Sequence, residues 1–195
     1  MTGQRRLSQS ISEGDGISVI VPVADVETAR AAEAGGAEGL VVTSDVPGVR
    51  DATGLPIIWR APGGAEVGTA DGCVLDAVEL EEGDGSDLER RYARLGERGL
   101  ECIIGVQDAE SLEAALDRID PEIFLLSPRR GDQGADALEH VLDLLEDVPA
   151  GKLAIADLPV TTREEIAELE RAGVDAVIVG TSNVADLVGA APPEV

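Results

Sequence analysis

Apolar positions along the chain fall into two alternating rhythms. Short continuous apolar runs alternate with longer stretches in which apolar residues recur every three or four positions. The first rhythm belongs to buried strands and the second to amphipathic helices. The runs lie at Ile17–Val23, Glu38–Thr43, Leu55–Arg60, Cys73–Ala77, Glu101–Val106, Glu122–Leu126, Lys152–Ala156 and Ala176–Val179. Helices are predicted over Asp25–Ala34 and Ser86–Glu97. Three more follow from the apolar faces Leu112/Ala115/Leu116/Ile119, Leu138/Val141/Leu142/Leu145 and Ile166/Leu169. Asp108 is placed to cap the first of these, and Thr162 with Glu165 has the spacing of a capping box. Short helices are expected near Val46–Ala52 and Asn183–Val188, and the glycine-rich connection after Arg60 should hold little helix.

One phrase repeats where helix gives way to strand. It reads GAEGLVV at Gly36–Val42, GLECIIG at Gly99–Gly105 and GVDAVIV at Gly173–Val179, with a looser copy, ADGCVLD, at Ala70–Asp76. A glycine accepts the left-handed backbone that ends a helix. The apolar run that follows suits a parallel strand covered on both faces. Repeated helix-to-strand junctions mean repeated βα units.

Eight such units without a domain-splitting linker predict a single closed (β/α)8 barrel over residues 17–190. A polar arm with a short helix (residues 1–16) precedes it, and a tail (191–195) follows. A doubly wound open sheet is the alternative, but no glycine-rich dinucleotide turn is visible. At 195 residues the chain is short for a fold of typically ~250. The second, third and eighth connecting helices are therefore expected to be trimmed.

Composition narrows the setting. Aromatics make up 2% of the chain, so the core is aliphatic. The net charge of −24 repels nucleic acid and anionic membrane surfaces. Acids spread over every helix read as a salt-adapted surface, with an acidic partner-binding face as the alternative. Cys73 and Cys102 lie in strand runs without metal spacing and are expected as buried reduced thiols of a cytoplasmic protein. His140 is expected at the surface. No signal peptide or membrane-spanning run is visible.

In a barrel of this kind, function sits at the C-terminal ends of the strands. Two features stand out there. Gly180, Thr181 and Ser182 follow the last strand and precede a helix, an arrangement in which backbone N–H groups and hydroxyls receive a phosphate. The plain alternative is a glycine turn with a helix cap. Arg60, Arg129 and Arg130 fall at the same predicted mouth and suit bidentate binding of carboxylate or phosphate. The competing reading pairs them with Asp45, Asp76, Asp132 or Asp157 as structural ion pairs. For acid–base work the candidates are Asp157, Asp76 and Asp45. No cofactor or metal is expected. A small phosphorylated or carboxylated ligand is the expected partner, with a protein partner or homo-oligomer left open.

The chain resembles indole-3-glycerol-phosphate synthase, a phosphate-binding barrel of tryptophan biosynthesis. The likeness runs from about Leu7 to Leu187. It is carried by LERRYARLGERGLECIIGVQDAESLEAAL at Leu88–Leu116 and VPAGKLAIADLPVTTREEIAELERAGVDAVIVGTSNV at Val148–Val184. EAGGAEGLVVTSD at Glu33–Asp45 and LPIIWR at Leu55–Arg60 add to it. The arm before Ile17 resembles that family's extra N-terminal helix.

The site residues depart from the pattern. The family's E-x-K after strand one is Pro22 and Ala24 here. Its lysine after strand three is Arg60, and its strand-five Glu is Gly105. Its strand-six Asn pair is Ser127 and Pro128, with the following Arg kept as Arg129. Its strand-seven E-S-G is Asp157, Leu158 and Pro159, whereas its strand-eight G-x-S survives as Gly180 and Ser182. Arginine stays protonated and donates protons poorly, and the only lysine, Lys152, begins strand seven at the far face. The resemblance thus implies the scaffold, while the departures predict a barrel without the synthase reaction. An enzyme of different lyase or isomerase chemistry and a divergent synthase are the alternatives.

Overall fold

A computed structural model describes residues 6–12, 16–60, 68–81, 85–180 and 184–188. Eight parallel strands, β1 to β8, follow one another around a closed barrel, and β8 pairs with β1. They are β1 (Ser18–Pro22), β2 (Gly39–Val42), β3 (Ile57–Trp59), β4 (Gly72–Asp76), β5 (Glu101–Val106), β6 (Ile123–Leu126), β7 (Leu153–Asp157) and β8 (Ala176–Ile178). The barrel expected from the alternating rhythm is therefore the fold.

The described helices are α1 (Arg6–Ser12), α2 (Val26–Ala34), α3 (Val49–Ala52), α4 (Val78–Glu81), α5 (Ser86–Glu97), α6 (Ala109–Arg118), α7 (Ala135–Glu146), α8 (Arg163–Ala172) and α9 (Ala185–Val188). The expected trimming shows in α3 and α9, each of four residues. Most of the connection between β3 and β4 (residues 61–67) lies outside the described residues. The short α4 after β4 carries no helical period long enough to announce it in the sequence. Asp25, Asp108 and Thr162 cap α2, α6 and α8, each completing a capping box with the third helical residue.

Side chains alternate along each strand between two cores. Ile20, Val41, Ile58, Val74, Ile103, Ile123, Leu125, Ile155 and Ile178 fill the barrel, and Leu7 and Ile11 of α1 join them from below. The other parity, including Leu40, Ile57, Trp59, Cys73, Ile104 and Phe124, packs outward against the helices.

The repeated junction performs two tasks. Gly36, Gly99 and Gly173 adopt φ of 93°, 83° and 98°, the left-handed turn the repeat predicts. Acids of these junctions, Asp71 of the looser copy among them, tie the lower rim together. Asp71 Oδ2 accepts the Ile57 N–H at 2.9 Å, while the Asp71 N–H donates to the Ile57 carbonyl at 2.8 Å. Asp175 repeats that ring with Ala154, at 2.7 and 3.0 Å. Glu101 turns to α1 instead: its Oε2 accepts the N–H groups of Leu7 and Ser8 at 2.8 and 3.1 Å. These donors at a helix start have no partner within the helix. Gly72 leaves room for the same helix, since a Cβ there would stand 3.0 Å from Leu7 Cδ2.

Candidate functional site

The inner layer of the barrel ends upward in a ring. Two residues beyond the mid-barrel layer, the pleat returns side chains to the interior. The ring therefore consists of Pro22, Thr43, Arg60, Asp76, Gly105, Ser127, Asp157 and Gly180. Seven of these positions, all but Thr43, were singled out from the sequence or from its departures as places where chemistry sits.

Arg60 crosses the mouth. Its Nη2 donates to Asp157 Oδ2 at 2.6 Å. The two residues follow β3 and end β7, strands on opposite sides of the closed barrel. Ser127 Oγ, above β6, donates to the same Oδ2 at 3.3 Å. Of the two readings of the arginines, the ion pair with Asp157 holds for Arg60. The guanidinium and carboxylate side chains remain 38% and 23% exposed, so an incoming ligand reaches both.

Asp76 takes no part in that pair. It is exposed at the end of β4, directly in register with Gly105 on β5. Its Oδ1 lies 2.9 Å from where a Cβ on Gly105 would stand. No residue among those described hydrogen-bonds or pairs with its carboxylate. Asp45 lies elsewhere on the rim, with its Oδ1 near Gly68. Of the three candidate acids, the ion pair joins Arg60 to Asp157.

The remaining arginines diverge. Arg129 and Arg130 are exposed on the segment after β6. Asp108 is held below the usual carboxylate range, first by the Ser111 backbone N–H and to a lesser degree by the positive field of Arg129. Among the described residues, Arg60 is the one of the three arginines that pairs with a mouth carboxylate. Gly180 is exposed at the mouth, with Pro159 Cα 3.5 Å from its would-be Cβ. Proline has no N–H to offer an anion, and the Val160 N–H is taken by the Leu158 carbonyl at 2.7 Å. Thr181 and Ser182 lie outside the described residues.

Three features escaped the sequence reading or correct it. His140 is buried rather than at the surface: Nε2 lies 2.7 Å from the Gln107 carbonyl oxygen, between α7 and the end of β5. Its neighbours Ala137, Val141 and Leu144 form the apolar face that carries it inward. The facing of Asp76 and Gly105 needs lateral register, which no linear pattern supplies. The third is Lys152, whose Nζ binds Asp120 at 2.6 Å. That contact is at the lower rim, as the position at the start of β7 implies. Cys73 and Cys102 are free and buried, as expected, and stand side by side in register on β4 and β5. Among the described residues no group of three or more His, Cys, Asp or Glu is placed to hold a metal ion. No described helix is long and apolar enough to cross a membrane.

No family model matches the chain. The indole-3-glycerol phosphate synthase of Geobacillus sp. (strain WCH70) is 25% identical over 182 residues, covering 80% of this chain and 66% of that protein. The synthase of Shouchella clausii (strain KSM-K16) is 27% identical over 168 residues, covering 78% and 65%. That of Variovorax paradoxus (strain S110) is 32% identical over 111 residues, 57% of this chain and 40% of that protein. The chain thus spans just under two thirds of the length of the first two relatives. With its closed barrel and these shared stretches, the chain is a distant, divergent relative of the indole-3-glycerol phosphate synthases.

Proposed function

We propose that this barrel no longer performs the synthase reaction and instead binds a small phosphorylated or carboxylated ligand at its mouth, in a regulatory or assembly role. The observation that carries this reading is the Arg60–Asp157 pair. A guanidinium reaches across the mouth and already holds a carboxylate oxygen at 2.6 Å, so the geometry for an anionic oxygen is in place. The same pair speaks against ring closure. Closure of an indole ring needs a proton donor near the substrate carbonyl and a group that assists dehydration. Arginine stays protonated at working pH, and Asp157 is engaged by Arg60 and Ser127. In this reading Arg60 is the principal anion receptor, assisted by Gly180, Thr181 and Ser182, with Arg129 and Arg130 drawing anions toward the mouth.

Two measurements test it. Expression in a tryptophan auxotroph lacking the synthase should give no growth. Growth would establish the second reading, a divergent working synthase, which the names of its relatives favour. Thermal-shift titration with inorganic phosphate and small phosphate esters should stabilise the wild type and not Arg60→Ala. Silence of every ester removes the binding reading.

A further inference from the structure

Gly105 has no backbone reason to be glycine. It lies inside β5, and its φ is not among the positive ones. Glycine within a strand weakens it relative to alanine, and it marks places where something approaches the backbone closely. Here that something is the Asp76 carboxylate, 2.9 Å from the missing Cβ. A side chain at 105 would occupy the space into which Asp76 projects. The mouth therefore keeps an open position on β5 and fills it from β4 with an acid.

The charges around that acid are uneven. Arg60 is matched by Asp157, so the pair brings no net charge to the ring. Asp76 has no counter-ion among the described residues, and the described ring carries one uncompensated negative charge. The chain as a whole carries −24. A ligand that is only anionic meets repulsion from the field and from Asp76. A ligand that also carries an ammonium group gives Asp76 its partner.

We propose that the mouth selects small ligands bearing a protonated amine beside their anionic group, with Arg60 receiving the anion and Asp76 the amine. This rests on the anion-binding reading above and names the ligand class within it. Asp76 is the specificity-determining residue, and Gly105 holds the space that lets it act. Charge-assisted hydrogen bonds are roughly twice as strong as neutral ones, which makes the amine the distinguishing feature of the ligand.

Calorimetric titration of the full chain with O-phosphoethanolamine and with ethyl phosphate, which lacks the amine, separates the possibilities. The amine-bearing ester should bind about tenfold more tightly or better. Asp76→Asn should erase that difference. Gly105→Ala should reduce it, because the new Cβ displaces only a side-chain carboxylate and leaves the strand in place. Equal binding of the two esters by the wild type overturns this inference and leaves the anion-binding reading standing. So does a preference for the amine that survives in both variants. If neither ester binds and Arg60→Ala is silent, both fall.

Discussion

Arg60 and Asp157, on opposite walls of the barrel, meet over its mouth with 2.6 Å between guanidinium nitrogen and carboxylate oxygen. Asp157 thus stands where the anion of a ligand would bind, as an internal competitor. Asp157→Asn should strengthen binding of inorganic phosphate several-fold and leave the melting temperature almost unchanged. Partly exposed pairs contribute only about 0–1 kcal/mol to stability. Calorimetry on the wild type and the variant checks this. Weaker phosphate binding in the variant would show that Asp157 instead positions Arg60.

The lower rim should respond in the opposite way. Glu101 satisfies two N–H groups at the start of α1. Glu101→Ala should cost about 1–2 kcal/mol, the usual scale for a lost helix cap. It should also expose the arm to protease before the barrel unfolds. Denaturant melts combined with limited proteolysis report both effects, and an arm as resistant as the wild type's would contradict the assignment.

Gly72→Ala is a sharper test of the same contact. Its Cβ would meet the Glu101 carbonyl oxygen at 2.9 Å and Leu7 Cδ2 at 3.0 Å. One neighbour is backbone of the adjacent strand and yields little. A loss of about 1–3 kcal/mol is expected, on the scale of other overpacked cores. Truncation of Leu7 to Ala should relieve only the part of it due to α1.

Acid should weaken the helix starts. The carboxyls of Asp25, Asp108 and Glu165 are held below their ordinary values, in each case first by a backbone N–H, from Thr28, Ser111 and Thr161 respectively. A lowered folded value gives stability that is present above the unfolded value, 3.8 for Asp and 4.5 for Glu. That stability is lost as pH falls through the lowered values. Asp175 works the other way, because burial raises its carboxyl and makes the fold favour its protonated form. Asp108→Ala should therefore cost about 1 kcal/mol at pH 7 and converge on the wild type as pH falls through the lowered value of Asp108. Chemical melts across that range would show it, and a pH-independent difference would refute it.

The two thiols should be silent in the folded protein. Cys102 is 8% exposed and Cys73 2%. The neighbouring Cys73 sulfur and burial push the Cys102 thiol up, and Cys102 Sγ donates to the Tyr92 carbonyl oxygen at 3.8 Å. Thiol-reactive dye should label neither under native conditions and both in denaturant, since the thiolate is the reacting form.

What the linear pattern reveals is what repeats along the chain. β5 and α5 fall on Glu101–Val106 and Ser86–Glu97 as read from the sequence, because apolar runs and capping residues are local. The capping boxes at Asp108 and Thr162 are local for the same reason. The inward burial of His140 depends on what α7 packs against. The roles of Asp71 and Asp175 depend on the preceding strand. At the mouth, a linear reading names Arg60, Asp76 and Asp157 as separate candidates. It does not show that Arg60 and Asp157 span the barrel, or that Gly105 makes space for Asp76. Those facts belong to closure and lateral register.

Glu101 and Gly105 stand at the two ends of one strand and answer to different demands. The first fastens an element that seals the underside, and the second only leaves a space above. Substitutions of the ring residues therefore leave the lower-rim bonds of Asp71, Glu101 and Asp175 untouched. A barrel divided in this way offers an engineer a surface on which new specificity costs little stability.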